Sequence, residues 1–302
     1  MAFRKITIVD NCGLTSPEIE KIAALSKEKI SIYDDFPTTE KEIIQRIGDA
    51  DCLLVSWQTI ISNNVLKAAT SLKFIAMCCS LYDENSANVD IAAARKLGIE
   101  VKGVKDYGDE GTVEFIFAQL IFLLKGLGAH KWNAQTRELT NKNIGIIGLG
   151  TLGKMVAKTA SHFGMNVFYY NRSRKYELEK DGITYLSLNE LMQHCDIVTT
   201  HLPRNTILLT ANEFGIKKHN SILINTSLGL TFEKDAFLNW IGNDKTSFAI
   251  LDADGVGNFT SEFSKYDNII LSEQFAGFTV EAKKRLSEKV LENLTNFLES
   301  KT

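Results

Sequence analysis

The chain has 302 residues with a formal net charge of −3, and 44% of its residues are hydrophobic. This length allows two domains with sizeable cores, and the charge balance gives no electrostatic reason to expect nucleic acid or a membrane surface as a partner. The five cysteines are scattered without metal-ligand spacing, and no apolar run is long enough to span a bilayer. We therefore predict a cytoplasmic protein without disulfides, without a metal site and without a membrane segment.

Strands and helices alternate along the first third of the chain. Apolar runs predict strands at residues 5–9, 30–33, 52–55, 74–78 and 99–101, and helices at residues 17–25, 39–47, 64–69 and 90–97. Repeated strand–helix units predict a parallel sheet with helices on both faces. Residues 103–111 form the predicted hinge into a second domain, and a long apolar helix is predicted at residues 113–127.

A glycine fingerprint lies in the middle of the chain, between an apolar strand at residues 144–147 and a helix at residues 154–163. A second strand at residues 165–170 completes the unit. The first glycine allows a tight turn, the second lets backbone approach a pyrophosphate, and the third lets the helix pack on its strand. The helix also directs its first N–H groups at the phosphates. The pattern predicts a dinucleotide site that includes Gly148, Gly150, Thr151, Leu152 and Gly153.

The end of the second strand indicates which dinucleotide is bound. An NAD site usually has a carboxylate there to hold the ribose 2′-hydroxyl, but this chain has Asn171, Arg172, Ser173 and Arg174. An asparagine does not repel a 2′-phosphate, and guanidinium groups bind phosphate in bidentate fashion. A solvated basic turn is the alternative interpretation. We predict that these four residues bind NADP(H) in preference to NAD(H), with NAD(H) as the alternative cofactor.

The rest of the chain continues the α/β pattern. Strands are predicted at residues 197–200, 222–225, 248–252 and 269–271, and a final helix is predicted at residues 280–298. We expect this helix to return to the first domain. The predicted domains are therefore residues 1–103 with 280–302, and residues 104–279. A cleft between two α/β domains is the expected place for a small-molecule substrate.

Several ordered segments resemble the D-2-hydroxyacid dehydrogenase family. Besides the fingerprint they include NVDIAAARKLGIEV (88–101), CDIVTTHLPRNT (195–206), ILINTSLG (222–229) and NIILSEQFAGFT (268–279). The resemblance implies a flavodoxin-like substrate domain and a Rossmann-fold cofactor domain, both doubly wound parallel sheets. It also implies a homodimer that uses the helix at residues 113–127. Further cofactor contacts are implied at Leu202, Pro203, Thr206, Thr226, Ser227 and Asp252.

The chain departs from this family at three catalytic positions. The family uses an Arg to bind the substrate, a His as acid and base, and a Glu that raises the pKa of the His. Here Leu228 replaces the Arg and Gln274 replaces the His. The Glu position falls on Gly257, and Asp254 as a displaced carboxylate is the alternative. Gln274 is the remaining catalytic candidate, because its carboxamide can hydrogen-bond a carbonyl although it cannot transfer a proton.

The expected substrate contacts also depart from the family. A short glycine-containing loop is replaced by a longer acidic one at residues 79–85, and the candidate contacts are Trp57, Ser80, Leu81 and Tyr82. Two hypotheses follow. The first is an NAD(P)-dependent oxidoreductase that transfers a hydride to or from an atypical carbonyl or hydroxyl substrate. The second is a cofactor-binding sensor or interaction protein of the same fold without catalytic activity.

Overall fold

The polypeptide forms two compact units, Met1–Tyr107 with Thr279–Thr302 and Gly108–Phe278. The computed structural model describes residues 1–204 and 206–301. Within those residues, no helix has both the length and the apolar character that are needed to cross a membrane. Each unit has a parallel sheet of its own.

The first unit contains a five-stranded parallel sheet in the order β2-β1-β3-β4-β5. Its elements are β1 (Ile6–Ile8), α1 (Ser16–Ala23), β2 (Ser31–Ile32), α2 (Glu40–Ile47), β3 (Cys52–Val55), α3 (Asn63–Ala68), β4 (Phe74–Ser80), α4 (Ile91–Lys96) and β5 (Glu100–Val104). The order 2-1-3-4-5 is that of flavodoxin-like folds. Strands β1 and β3 are buried along their whole length, as their continuous apolar runs predict.

The second unit contains a seven-stranded parallel sheet in the order β12-β11-β10-β9-β6-β7-β8. Its elements are α5 (Asp109–Lys125), β6 (Asn143–Ile147), α6 (Thr151–His162), β7 (Asn166–Tyr170), α7 (Tyr176–Glu179), β8 (Thr184–Tyr185), α8 (Leu188–His194), β9 (Ile197–Thr200), α9 (Ala211–Gly215), β10 (Ile222–Asn225), α10 (Lys234–Asn243), β11 (Phe248–Leu251), α11 (Thr260–Phe263) and β12 (Ile269–Leu271). The strand order reverses between β6 and β9, and such a switch point is where Rossmann folds bind their ligands.

The last helix, α12 (Val280–Ser300), belongs to the first unit. Leu286, Val290 and Leu294 recur at helical spacing and are buried against the sheet. The ring of Phe297 lies 4.4 Å from the ring of Phe74 in β4. Helix α12 and α1 cover one face of this sheet, and α2, α3 and α4 contribute to the core on the other face. The predicted α/β class with two doubly wound parallel sheets is confirmed.

Helix α5 begins at Asp109, four residues before the predicted start. Its first turn carries Asp109 and Glu110, whose negative charges are favoured at a helix N-terminus. The prediction was wrong here because it took the first apolar residue as the helix start. The helix ends at Gly126, which adopts the left-handed conformation at φ 65°.

Candidate active site

The glycine turn lies at the carboxyl end of β6, where two of its glycines make contacts that exclude any side chain. Gly148 has φ +97°, and a Cβ added there would lie 2.1 Å from the carbonyl oxygen of His201, the residue after β9. A Cβ on Gly153 would lie 2.2 Å from the carbonyl oxygen of Gly148. These close approaches hold the start of α6 against the turn and against the end of β9.

Gly150 differs from the other two glycines because it faces open space. No atom of the described residues lies within 4 Å of a Cβ built on Gly150. Gly150 is also the N-cap of α6, and it provides no side chain to cap the helix. The first N–H groups of this helix have no intrahelical acceptors, so they face a space where an anion is favoured. These residues therefore fit the pyrophosphate of a dinucleotide.

Asn171, at the end of β7, is bonded to the glycine turn. Its Oδ1 accepts a hydrogen bond of 3.2 Å from the backbone N–H of Leu149, and its Nδ2 donates to the carbonyl of Ser173 at 2.9 Å. The position that usually carries the NAD-selecting carboxylate is therefore neutral and fixed. Arg172 and Ser173 are exposed beside it.

Arg174, the second predicted phosphate-binding arginine, has an acidic partner. Its Nε and Nη2 lie 2.7 and 2.8 Å from the two carboxylate oxygens of Glu179 in α7. The guanidinium also lies over the rings of Tyr176 and Tyr185, at 4.8 and 5.0 Å. The carboxylate raises the pKa of Arg174. Because Glu179 occupies one edge of the Arg174 guanidinium, Arg172 is the stronger candidate for binding the phosphate.

The ends of β9 and β10 are joined by hydrogen bonds through Ser227. Its Oγ donates to the carbonyl of Thr200 at 3.1 Å and accepts from the N–H of Leu202 at 3.2 Å. Ser227 is thus engaged within the protein. The neighbouring Oγ1 of Thr226 is buried and has no hydrogen-bond partner among the described residues. An unpaired buried hydroxyl at this edge fits a ligand contact. Pro203 is exposed, and Thr206 is half-buried.

His201 has no role as a proton donor at neutral pH. Its ring nitrogen Nε2 lies 3.1 Å from Oγ1 of Thr199, and its Nδ1 is buried without a partner among the described residues. Burial lowers the pKa of the His201 ring to about 3, because a charged ring is poorly solvated there. The ring is therefore neutral.

Asp252 follows β11 and is only 2% exposed. One carboxylate oxygen accepts from the N–H of Gly255 at 2.7 Å, and the other accepts from the N–H of Ala276 at 2.9 Å. Burial raises the pKa of Asp252, although these backbone bonds act in the opposite direction. The carboxylate connects the loop after β11 to the loop after β12.

The three positions at which the family resemblance predicts changed catalytic residues lie on loops that meet around Asp254. The carbonyl of Asp254 accepts hydrogen bonds of 3.1 Å from the N–H groups of Gly229 and Gly257. Gly229 directly follows the half-buried Leu228. The N–H of Ala253 donates to the carbonyl of Gln274 at 3.1 Å. The loops that carry Leu228, Gln274 and Gly257 therefore meet at residues 252–257.

The side chain of Gln274 is exposed, and its carboxamide makes no hydrogen bond to the described residues. Asp254 is half-buried in the same group of loops. Burial and the nearby charge of Asp252 raise the pKa of the Asp254 carboxyl to about 7, against an opposing effect of Arg204. A carboxylic acid with such a pKa exchanges its proton near neutral pH.

Comparison with known proteins identifies the family. The model for the NAD-binding domain of D-isomer specific 2-hydroxyacid dehydrogenases matches residues 118–273, which is more than half of the chain. The chain belongs to this dehydrogenase family. The fingerprint, the fold and the strand order of the second unit are all consistent with that membership.

Relatives of the family extend the similarity over most of the chain. A glyoxylate reductase of Korarchaeum cryptofilum is 28% identical, over 87% of this chain and 84% of its own length. A glyoxylate reductase of Aeropyrum pernix is 27% identical, over 93% of this chain and 90% of its own length. The structure of an acyclic imino acid reductase in complex with NADPH and D-Arg superimposes with a TM-score of 0.84, at 26% identity over 98% of this chain and 97% of that chain.

The substrate contacts expected for this dehydrogenase family lie in the first unit. Ser80 ends β4, and the N–H of Leu81 donates to the carbonyl of Val104 at 3.1 Å. Tyr82 is 51% exposed, and Nζ of Lys105 lies 5.6 Å from the centre of its ring. Trp57 follows β3 and packs against the core. These four residues are placed on the carboxyl side of the first sheet.

Arg204 is a residue of the site that the sequence analysis did not select. It lies in the loop after β9, close enough to Asp254 to oppose the increase of that carboxyl's pKa. The segment HLPRNT was part of the family resemblance and already contained this arginine. The separation of Arg204 and Asp254 along the chain does not indicate that they are close. The loops after β9 and β11 come together only when the sheet has formed.

Proposed function

We propose that the chain is an NADP(H)-dependent oxidoreductase that transfers a hydride to or from an atypical carbonyl or hydroxyl carbon. The observation that carries the proposal is the open space at Gly150 together with the loops after β10 and β12, which carry Leu228 and Gln274. Family membership supports hydride transfer as the reaction. The presence of Leu228 and Gln274 supports a substrate that is less anionic than a simple 2-hydroxy acid.

The chain's own residues account for cofactor binding in this proposal. The N–H groups at the start of α6 bind the pyrophosphate, and Arg172 and Ser173 bind the 2′-phosphate. The free hydroxyl of Thr226 contacts the nicotinamide end, and Asp252 holds the neighbouring loops in place through its bonds to Gly255 and Ala276. When it is bound, the nicotinamide supplies or accepts the hydride.

The substrate class follows from the hydrogen-bond donors that Leu228 and Gln274 can and cannot offer. Leu228 has no donor for a carboxylate, whereas the exposed carboxamide of Gln274 has two N–H donors for a carbonyl oxygen. Compounds with a C=N bond are a second candidate class. A protonated imine already carries its proton on nitrogen, so its reduction needs no side-chain acid. The similarity to an acyclic imino acid reductase favours this class.

The assembly proposed for the protein is a homodimer that uses α5. Eight of the 17 residues of this helix are buried within the second unit, whereas Phe122 is 52% exposed, and Leu127 after the helix is 63% exposed. A second copy would cover this apolar surface. Light scattering at micromolar concentration is expected to give the mass of a dimer, and Phe122→Glu is expected to give a monomer. The control is Leu97→Glu, which places the same charge on an exposed leucine of the first unit.

A screen of carbonyl compounds with NADPH tests the proposed reaction. The panel contains simple 2-oxo acids, uncharged aldehydes and ketones, and 2-oxo acids mixed with methylamine as a source of imines. Turnover is read at the nicotinamide absorbance, and NADPH binding is titrated separately by fluorescence. The matched control is Gly150→Asp, which places a carboxylate in the open space and repels the pyrophosphate. Tight NADPH binding without turnover of any compound would contradict the proposal and support the sensor hypothesis.

A further inference from the structure

Asp254 lies where the loops after β10, β11 and β12 meet. Its carbonyl binds the N–H of Gly229, next to Leu228, and the N–H of Gly257. The adjacent residue, Ala253, donates to the carbonyl of Gln274. Backbone bonds thus fix Asp254 between the positions at which the family carries its three catalytic side chains. Its carboxyl makes no hydrogen bond to the residues that the structure describes.

The charges around Asp254 come from two residues. Asp252 lies on the same loop, and its charge disfavours a second ionised carboxylate. Arg204 lies on the loop after β9 and favours the ionised form. Leu228 and Gly229 bring no charge from the loop after β10, and on the loop after β12 the neutral Gln274 is preceded by the exposed Glu273. The net result of burial and these charges is a pKa of about 7 for Asp254.

The other groups at the carboxyl ends of β9, β11 and β12 do not supply a proton at neutral pH. The pKa of His201 is lowered to about 3, so its ring is already deprotonated. Gln274 has no titratable proton. Burial raises the pKa of Asp252, but this residue is only 2% exposed and both of its carboxyl oxygens accept hydrogen bonds from backbone N–H groups, so it does not face a substrate. Asp254 is the half-buried acid whose backbone joins the converging loops, whereas Glu273 beside Gln274 is exposed.

We propose that the Asp254 carboxyl donates the proton taken up by the substrate's carbonyl oxygen during reduction, in place of the family's histidine. This inference rests on the proposed function. The carbonyl carbon gains a hydride with its two electrons from the reduced nicotinamide dinucleotide, which leaves oxidised. The C=O π bond breaks, and its electron pair on oxygen takes the proton as the O–H bond of Asp254 breaks. The resulting carboxylate regains a proton from water.

The test compares Asp254→Asn with Asp267→Asn, which makes the same change at an exposed turn before β12. With the best carbonyl substrate from the screen, Asp254→Asn is expected to lower kcat by roughly 100- to 10,000-fold, the usual contribution of acid–base catalysis. The Kd for NADPH is expected to stay within about twofold of the unmodified protein's. In the unmodified protein, kcat is expected to fall as the pH rises through about 7.

A second measurement needs neither cofactor nor substrate. Carbon-13 NMR of the side-chain carboxyls in the free protein is expected to show a resonance that titrates near pH 7. This resonance is expected to be absent from Asp254→Asn and retained in Asp267→Asn. Retained kcat in Asp254→Asn, or the absence of such a resonance, would overturn the inference alone. The absence of turnover by the unmodified protein would overturn the proposed function and this inference with it.

Discussion

The backbone N–H of Leu149 donates a hydrogen bond of 3.2 Å to Oδ1 of Asn171. This bond joins the glycine turn to the end of β7, so the residue that we propose selects the cofactor also supports the glycine turn. An aspartate at this position has the same acceptor geometry. Aspartate therefore changes the charge and keeps the acceptor for Leu149, but it loses the N–H that Asn171 donates to the carbonyl of Ser173.

Asn171→Asp is expected to shift the cofactor preference from NADP(H) toward NAD(H). The new carboxylate still accepts from Leu149, but it repels a 2′-phosphate and accepts a hydrogen bond from a 2′-hydroxyl. The ratio of the two Kd values is expected to change on the order of tenfold, equivalent to about 1.4 kcal/mol. Fluorescence titration measures both values. Asn171→Ala is the control, and it should weaken both cofactors alike. Tighter NADH than NADPH binding by the unmodified protein would contradict the assignment.

Gly150→Ala and Gly153→Ala are expected to fail in different ways. A methyl group at Gly150 meets no described atom within 4 Å, so the variant should fold normally but bind NADPH weakly. A methyl group at Gly153 would lie 2.2 Å from the carbonyl oxygen of Gly148, so the helix must shift. Overpacking of this kind costs about 1–3 kcal/mol of unfolding free energy. Calorimetry and NADPH titration separate the two effects, and equal melting temperatures for the two variants would refute the distinction.

The unmodified protein is expected to reduce pyruvate, glyoxylate and hydroxypyruvate poorly. Leu228 cannot bind a carboxylate, and Gln274 cannot transfer a proton. The triple variant Leu228→Arg, Gln274→His and Gly257→Glu restores the three side chains of the family. Its kcat/KM for glyoxylate is expected to exceed that of the unmodified protein by roughly 100-fold or more. Efficient reduction of glyoxylate by the unmodified protein would show that the catalytic positions are assigned wrongly.

Asp254→Asn is expected to stabilise the protein above neutral pH. The unfolded carboxyl ionises near its ordinary pKa of 3.8, whereas the folded carboxyl keeps its proton up to about pH 7. Between these values the unfolded state binds fewer protons, so the free energy of unfolding falls as the pH rises, and it stays low above pH 7.

The asparagine variant lacks this titration. Its gain in unfolding free energy is expected to be about 2 kcal/mol at pH 8, after discounting for the partial exposure of the side chain, and close to zero at pH 4. Denaturant unfolding at the two pH values measures the difference. A gain of the same size at both values would indicate a packing effect in place of a charge effect.

Local pattern was sufficient for much of the fold. The bounds of β9, β10 and β12 agree with the predicted strands at 197–200, 222–225 and 269–271, because each is an apolar run between polar turns. The glycine spacing likewise predicted the turn between β6 and α6. By contrast, no helix was predicted between residues 164 and 279. Helices α7, α9 and α11 have only four or five residues, too few for a periodic pattern, but α8 and α10, with 7 and 10 residues, were missed as well.

The sequence by itself determined the class of fold and the dinucleotide turn, and it predicted that Leu228 and Gln274 stand where the family carries catalytic side chains. These features depend on residue identity and short-range spacing, which can be read directly along the chain. Only the tertiary structure decided that Glu179 binds Arg174, and that Asp252 and Arg204 act on Asp254. Ion pairing and pKa depend on burial and on distances between loops of different strands. Those distances exist only after the sheet has assembled.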